Sequence, residues 1–347
     1  MPLRKMYLLI PVLLVFVCLL GGFFAYFNSS PMQSGKRFLF QIRPGAGFYE
    51  VVSELSRTGA IRSVRFFKLL GRVKGVTRRI KAGYYIVDSG KSATRLLDDF
   101  TEGKICRVRV TLPEGLDNRG IARKLASCTF EGADGKEYRL VGEKEFLNAA
   151  GDGSILKKFG FLKQKSCEGY LFPSTYFVPL GYTARQMVEM MVAAFKRRLG
   201  PELIEAMRRS PLGFYKTLIL ASIVEREAVS PTERPRIAGV FLNRYRKGMK
   251  FESCATIQYI LGEVRTKLYY YQLKIPSPYN TYQNTGFPIG PIANPGLASI
   301  RAAVSPDRHD YLFFVSRNDG THVFSRTGWA HNRAARKYQW GRYEVYR

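Results

Sequence analysis

Acidic residues are scarce in this 347-residue chain: 27 Asp and Glu stand against 55 Lys and Arg, a formal net charge of +28. Such an excess favours anionic partners, of which nucleic acid, anionic lipid head groups and carboxylate-bearing wall polymers are the main classes. Histidine is scarcer still, with His309, His322 and His331 too scattered to form a metal motif; they read as surface or structural residues. Cysteine is sparse as well. None of Cys18, Cys106, Cys128, Cys167 and Cys254 lies in a C-x-x-C pair, so a zinc site is not supported, while the four beyond Cys18 leave room for one or two disulfides. No metal and no cofactor is expected. What is present is an ordinary globular composition, 46% hydrophobic and 24% charged, which argues against wholesale disorder and is long enough for two domains with cores.

The N-terminus sets the compartment. Arg4 and Lys5 precede Met6 to Phe27, 22 residues without a charge and with one proline, long enough to cross a bilayer as a helix. By the positive-inside rule residues 1–5 stay in the cytoplasm and the rest is exported. A cleaved signal peptide would have a shorter apolar region and small residues at its exit, whereas the exit here reads Phe24-Ala25-Tyr26-Phe27, so a retained single-pass anchor is expected. Export disfavours nucleic acid as the partner of the basic surface.

After a polar linker at 28–36, Phe38–Ile42 reads as a strand, Arg43–Gly47 as a turn and Phe48–Arg57 as an amphipathic helix. A helix from Ser63 to Leu70, a strand at Tyr84–Val87 and a helix from Ser92 to Phe100 follow. The strand–turn–helix unit then recurs at Arg107–Leu112, Pro113–Gly115 and Asp117–Ala126. Residues 128–160 are polar and glycine-bearing, with one helix from Glu143 to Ala150, and read as an insertion or junction. Near the C-terminus, Ala298–Val304 reads as a helix and Tyr311–Val315 with Thr321–Ser325 as a hairpin turned at Asp319-Gly320. The fold class is α+β.

The stretch Leu218–Glu227 carries the chemistry. It is a nearly all-apolar helix closed by Glu225 and Glu227, and helical spacing puts Glu227 on the face of Leu220, Ile223 and Val224, with Glu225 on the other side. A carboxyl continuing an apolar face is desolvated, which raises its pKa toward the range where it donates protons near neutrality. Glu227 is the candidate general acid. A break at Ala228–Pro235, a second amphipathic helix from Ile237 to Tyr245 and a stop at Gly248 make a helix hairpin with the carboxyl near its corner.

Ala221–Glu227, Glu233–Pro235, Ala238–Arg244 and Lys247–Met249 closely resemble the endolytic murein transglycosylase (MltG, YceG-like) family. The resemblance extends through Glu168–Tyr176, Pro278–Tyr282, Gly286–Gly296 and His331–Tyr338, and covers essentially the whole chain. It departs from the family at Ser174 and Cys254, where acidic residues are usual. The resemblance implies a LysM-like glycan-binding module over 37–110 and a catalytic domain over 111–347. It implies endolytic cleavage of the MurNAc–GlcNAc β-1,4 bond of nascent peptidoglycan strands, giving 1,6-anhydroMurNAc ends and terminating elongation at the bacterial inner membrane. Peptidoglycan synthases are the implied neighbours, and the catalytic part lies in the periplasm or its extracytoplasmic equivalent. Glu227 is then the catalytic residue, acting first as acid and afterwards as base, and Glu168, Tyr176, Thr256, Gln258, Tyr279, Asn280 and Thr281 are substrate contacts. Asn243 and Arg244 are either contacts or supports of the hairpin. Should a second acid take part, Glu233 and Glu252 are the nearest. A non-catalytic wall-binding scaffold and a muramidase-type hydrolase are the rival readings.

Overall fold

A computed structural model describes residues 3–131, 137–265 and 268–339. In chain order the elements are α1 (Leu3–Asn28), β1 (Arg37–Ile42), α2 (Phe48–Arg57), α3 (Val64–Val73), β2 (Gly83–Asp88), α4 (Ala93–Glu102), β3 (Arg107–Thr111), α5 (Asn118–Ala126), β4 (Thr129–Glu131), β5 (Glu137–Arg139), α6 (Glu143–Gly151), α7 (Ile155–Lys158) and β6 (Thr175–Pro179). There follow α8 (Ala184–Arg209), α9 (Gly213–Glu227), α10 (Arg234–Arg246), α11 (Cys254–Leu261), α12 (Leu297–Val304), β7 (Phe313–Ser316), β8 (His322–Ser325) and α13 (Gly328–Gln339). The α+β class holds, and the strands form four two-stranded sheets, β1–β2, β3–β6, β4–β5 and β7–β8. By length and composition α1 is apolar enough to cross a membrane.

The chain divides into two compact units. The first comprises residues 1–109, 128–140 and 177–182, and the second the remainder. In the first, β1 and β2 pair antiparallel, Phe38 opposite Val87 and Phe40 opposite Tyr85. Alternation sends Phe40 and Ile42 inward while Gln41 faces out, and Val52, Leu55, Phe67, Leu97 and Phe100 of three helices close over them. Ser63 and Ser92 cap α3 and α4, each accepting the amide proton three residues on, which satisfies one orphan donor per helix.

The second unit is mainly helical. Thr183 and Gln186 form a reciprocal capping box that starts α8, and Gly200, at φ 68°, kinks it ahead of Pro201. α9 is buried on all sides from Thr217 to Val224, packed against α8, α10, α11 and α12. Burial all round explains why its sequence is apolar without a clean stripe. α5 starts at Asp117, whose carboxylate accepts the Gly120 amide at 2.7 Å. Asp117→Ala should therefore lower stability by about 1 kcal/mol, read as a shift in the midpoint of urea unfolding. Among the described residues no disulfide joins the cysteines, so the expected room for disulfides is unused.

Candidate active site

α9 ends at Glu227 because Ala228 turns extended, at φ −88° and ψ 119°, and a single 3-10 turn at Pro231–Glu233 leads into α10. The Glu227 carboxyl emerges at the N-terminus of α11. There its Oε1 accepts the Ser253 hydroxyl at 2.5 Å, and the Ala255 amide also donates to it. Burial pushes the Glu227 pKa up, and these two donors, with the nearby His322 ring and the Arg226 charge, hold it back only in part. The side chain lines a cavity of about 850 Å³ shared with Arg244, Glu252, Cys254, His322 and His331, a size suited to a small oligomeric ligand. Among the described residues no cluster of His, Cys, Asp and Glu has metal-ligand geometry.

Glu225 turns away, as helical spacing predicts. Its side chain is 4% exposed and pairs with Arg234 at 3.5 Å, while Oε2 accepts the Gly296 amide at 2.8 Å. A Cβ at 296 would stand 1.8 Å from Glu114 Oε1, so a larger residue there would displace the end of that side chain.

Ser253 is held by a short relay. Thr281 Oγ1 accepts the Ser253 amide at 3.1 Å, and Thr256 Oγ1 lies 2.9 Å from Thr281 Oγ1 and donates to the Ser253 carbonyl at 2.7 Å. Asn280 donates to the Leu273 and Ile275 carbonyls and accepts the Tyr282 amide, and the Tyr282 hydroxyl sits 3.1 Å from Cys254 Sγ. Thr256, Asn280 and Thr281 are thus buried beneath the cavity wall, with their hydrogen bonds made inside the protein. Gln258 accepts from Arg226 and donates to the Arg265 carbonyl, and Tyr176 donates to the Phe172 carbonyl.

Glu168 and Tyr279 line a different cavity, of about 420 Å³, with Arg119 and Tyr259. Glu168 accepts from the Asn118 amide, Asn294 Nδ2 at 3.0 Å and the Tyr259 hydroxyl. Gly169, at φ +86°, lets this loop press on Pro291, which a Cβ would meet at 2.6 Å. Burial raises the Glu168 pKa to about 8, against the pull of the Asn118 amide. The folded chain therefore keeps a proton that the unfolded chain releases in the ordinary carboxylate range. Stability should fall as pH rises through that window and level off above about 8. Urea unfolding across pH 5–9 should show a steeper slope in the wild type than in Glu168→Gln, which keeps only the contribution of the other raised carboxyls such as Glu227.

Arg244 and Asn243 are supports. Arg244 donates to the carbonyls of Leu312, Lys250 and Phe251, its guanidinium lies 5.0 Å from the Phe313 ring centre, and Asn243 ties α10 to the His309 and Tyr311 carbonyls. Glu252 takes φ +50°, uncommon for a residue with a Cβ, where its amide bonds to the Thr281 carbonyl. Glu233 does not line the large cavity: it stands behind His322, bonded to Nδ1 at 2.7 Å. Of the surface and structural readings of His322, the surface one fails: it is 8% exposed on the cavity wall. The pairing with Glu233 bridges 89 positions and leaves no local trace.

A family model described as the YceG-like family matches residues 40–337. An endolytic murein transglycosylase of Bacillus subtilis is 30% identical over 333 residues, spanning 92% of this chain and 91% of that protein. One from Streptococcus pneumoniae is 28% identical over 336 residues, covering 87% of this chain and 60% of the relative. The 2.6 Å crystal structure of a YceG-like protein from Listeria monocytogenes superposes with a TM-score of 0.58 at 28% identity, over 87% of this chain and all of that one.

Proposed function

This chain belongs to the YceG-like family, and from that premise we propose that it is a membrane-anchored, endolytic lytic transglycosylase of peptidoglycan with Glu227 as its acid. The observation that carries the reading is the placement of Glu227: a half-buried carboxyl, held by Ser253, at the mouth of a helix hairpin and open to a cavity able to take several sugars. Cleaving a glycosidic bond needs a proton on the leaving oxygen and relief for the oxocarbenium-like carbon. The bond cut is MurNAc–GlcNAc β-1,4, the relief comes from the substrate's own 6-hydroxyl, and the product end is 1,6-anhydroMurNAc. No second carboxylate is required, because the attacking hydroxyl belongs to the substrate itself.

In this account α1 anchors the chain in the cytoplasmic membrane, residues 37–110 act as a LysM-like glycan-binding module and residues 111–347 as the catalytic domain. Cutting nascent strands next to the synthases sets their length. Glu168 and Tyr279 are contacts for a more distant part of the glycan or its peptide, and Thr256, Asn280 and Thr281 act through the position of Ser253 and Tyr282. A hydrolase reading has one observation in its favour, the half-exposed carboxylate of Glu252 on the cavity wall. Early products separate internal from terminal cutting: long uncrosslinked strands should yield medium-length fragments first. A steady release of disaccharides from one end would contradict the endolytic reading.

A further inference from the structure

The wall of the large cavity that carries β8 holds a second proton-transfer group. His322 opens β8 and lines the cavity with Glu227. Its Nδ1 lies 2.7 Å from Glu233 Oε2, and its backbone amide donates to Glu233 Oε1 at 3.1 Å. Both carboxylate oxygens thus accept, so Nδ1 carries the hydrogen, and in the neutral ring the free lone pair is on Nε2. Among the described residues, no protein group hydrogen-bonds Nε2, and it is not sealed in the core. The rings of Phe314 and Phe324, at 5.4 and 6.3 Å, fix the imidazole plane. An imidazole on the cavity wall whose tautomer is set by a carboxylate, with its other nitrogen unbonded within the protein, has the arrangement of an oriented general base.

We propose that His322, aimed by Glu233, is the base that takes the proton of the attacking substrate hydroxyl, so that the acid and base roles are divided between Glu227 and His322. This inference rests on the lytic transglycosylase reading. As the bond from C1 to the leaving oxygen breaks, the Glu227 proton passes to that oxygen. The 6-hydroxyl oxygen bonds to C1, and its proton passes to His322 Nε2. No water is consumed. The enzyme is left with a Glu227 carboxylate and a His322 imidazolium on the same cavity, and transfer of that proton back through solvent restores both. The charged ring favours the carboxylate form of Glu227, so the state left by the reaction is an attractive pair.

A purely structural role, pinning β8 to the 3-10 turn, makes a different prediction. His322→Asn keeps a donor near the Nδ1 position and so keeps the tie to Glu233, but has no base. His322→Ala opens a space for free imidazole. Anhydro-end formation from uncrosslinked strands should fall by about 10²–10⁴-fold in kcat for both variants, with KM and thermal unfolding of His322→Asn close to wild type. Added imidazole should restore turnover in His322→Ala and not in His322→Asn. His322→Asn working within about threefold of wild type would overturn the role, as would loss in a folded His322→Ala that imidazole does not relieve. A wild type that forms no anhydro ends would overturn the transglycosylase reading itself, an outcome distinct from an active wild type with an active His322→Asn.

Discussion

Glu227→Gln should lower glycan cleavage by about 10²–10⁴-fold while leaving the fold and glycan binding in place. Gln has nearly the same shape, and its amide oxygen can still accept the Ser253 hydroxyl and the Ala255 amide that now bond Glu227. What it lacks is the proton. That proton also fixes the sign of the pH response. Burial raises the Glu227 pKa, the acid form is the working form, and the wild-type rate should therefore fall as pH rises through that raised value. The residual rate of the Gln variant should show no such limb. Turnover measured across pH on both proteins, with thermal unfolding as the control, checks the two statements together.

Arg244→Met should cost about 3–5 kcal/mol, the scale for removing one partner of a buried charged network. Arg244 gathers the Leu312, Lys250 and Phe251 carbonyls in one fork, and each buried acceptor left unpaired costs about 1–3 kcal/mol. The same fork fixes the chain just before Ser253, so activity should drop with stability. Arg244→Lys should rescue little, since an ammonium is a point donor without the planar fork. A fall in Tm of roughly 10 °C in a thermal melt is the expected reading; a change of a degree or two would mean that other groups carry those carbonyls.

Elements with a local pattern are the ones legible in the sequence. Phe38–Ile42 alternates and Phe48–Arg57 repeats at helical spacing, and both elements form within a residue of the predicted limits. Ser63 and Ser92 cap the helices they precede. The desolvated placement of Glu227 is legible because a carboxylate on an apolar helical face is an anomaly, and anomalies in a helix need few neighbours to interpret. α8 has a Thr183 cap and apolar residues at 187, 188, 191, 192 and 195, a readable signal that Gly200 and Pro201 cut short.

The substrate contacts were less legible, for a physical reason. Thr256, Asn280 and Thr281 are polar residues in irregular chain, and such groups either face a ligand or satisfy buried backbone. Residue type does not separate the two, whereas burial does, and here all three bond within the protein. His322 is the converse. A lone histidine after a turn carries no signal, and only folding brings Glu233 from the far side of α10 to hold it.

The most direct test is the mass of the new ends made by the exported part of the chain from uncrosslinked glycan strands, wild type beside Glu227→Gln. Internal fragments ending in anhydromuramic acid, formed by the wild type and missing from the variant, are the predicted result. Fragments heavier by one water, or anhydro ends formed equally by Glu227→Gln, would contradict it, the first pointing to Glu252 as a hydrolytic partner and the second removing Glu227 from the chemistry.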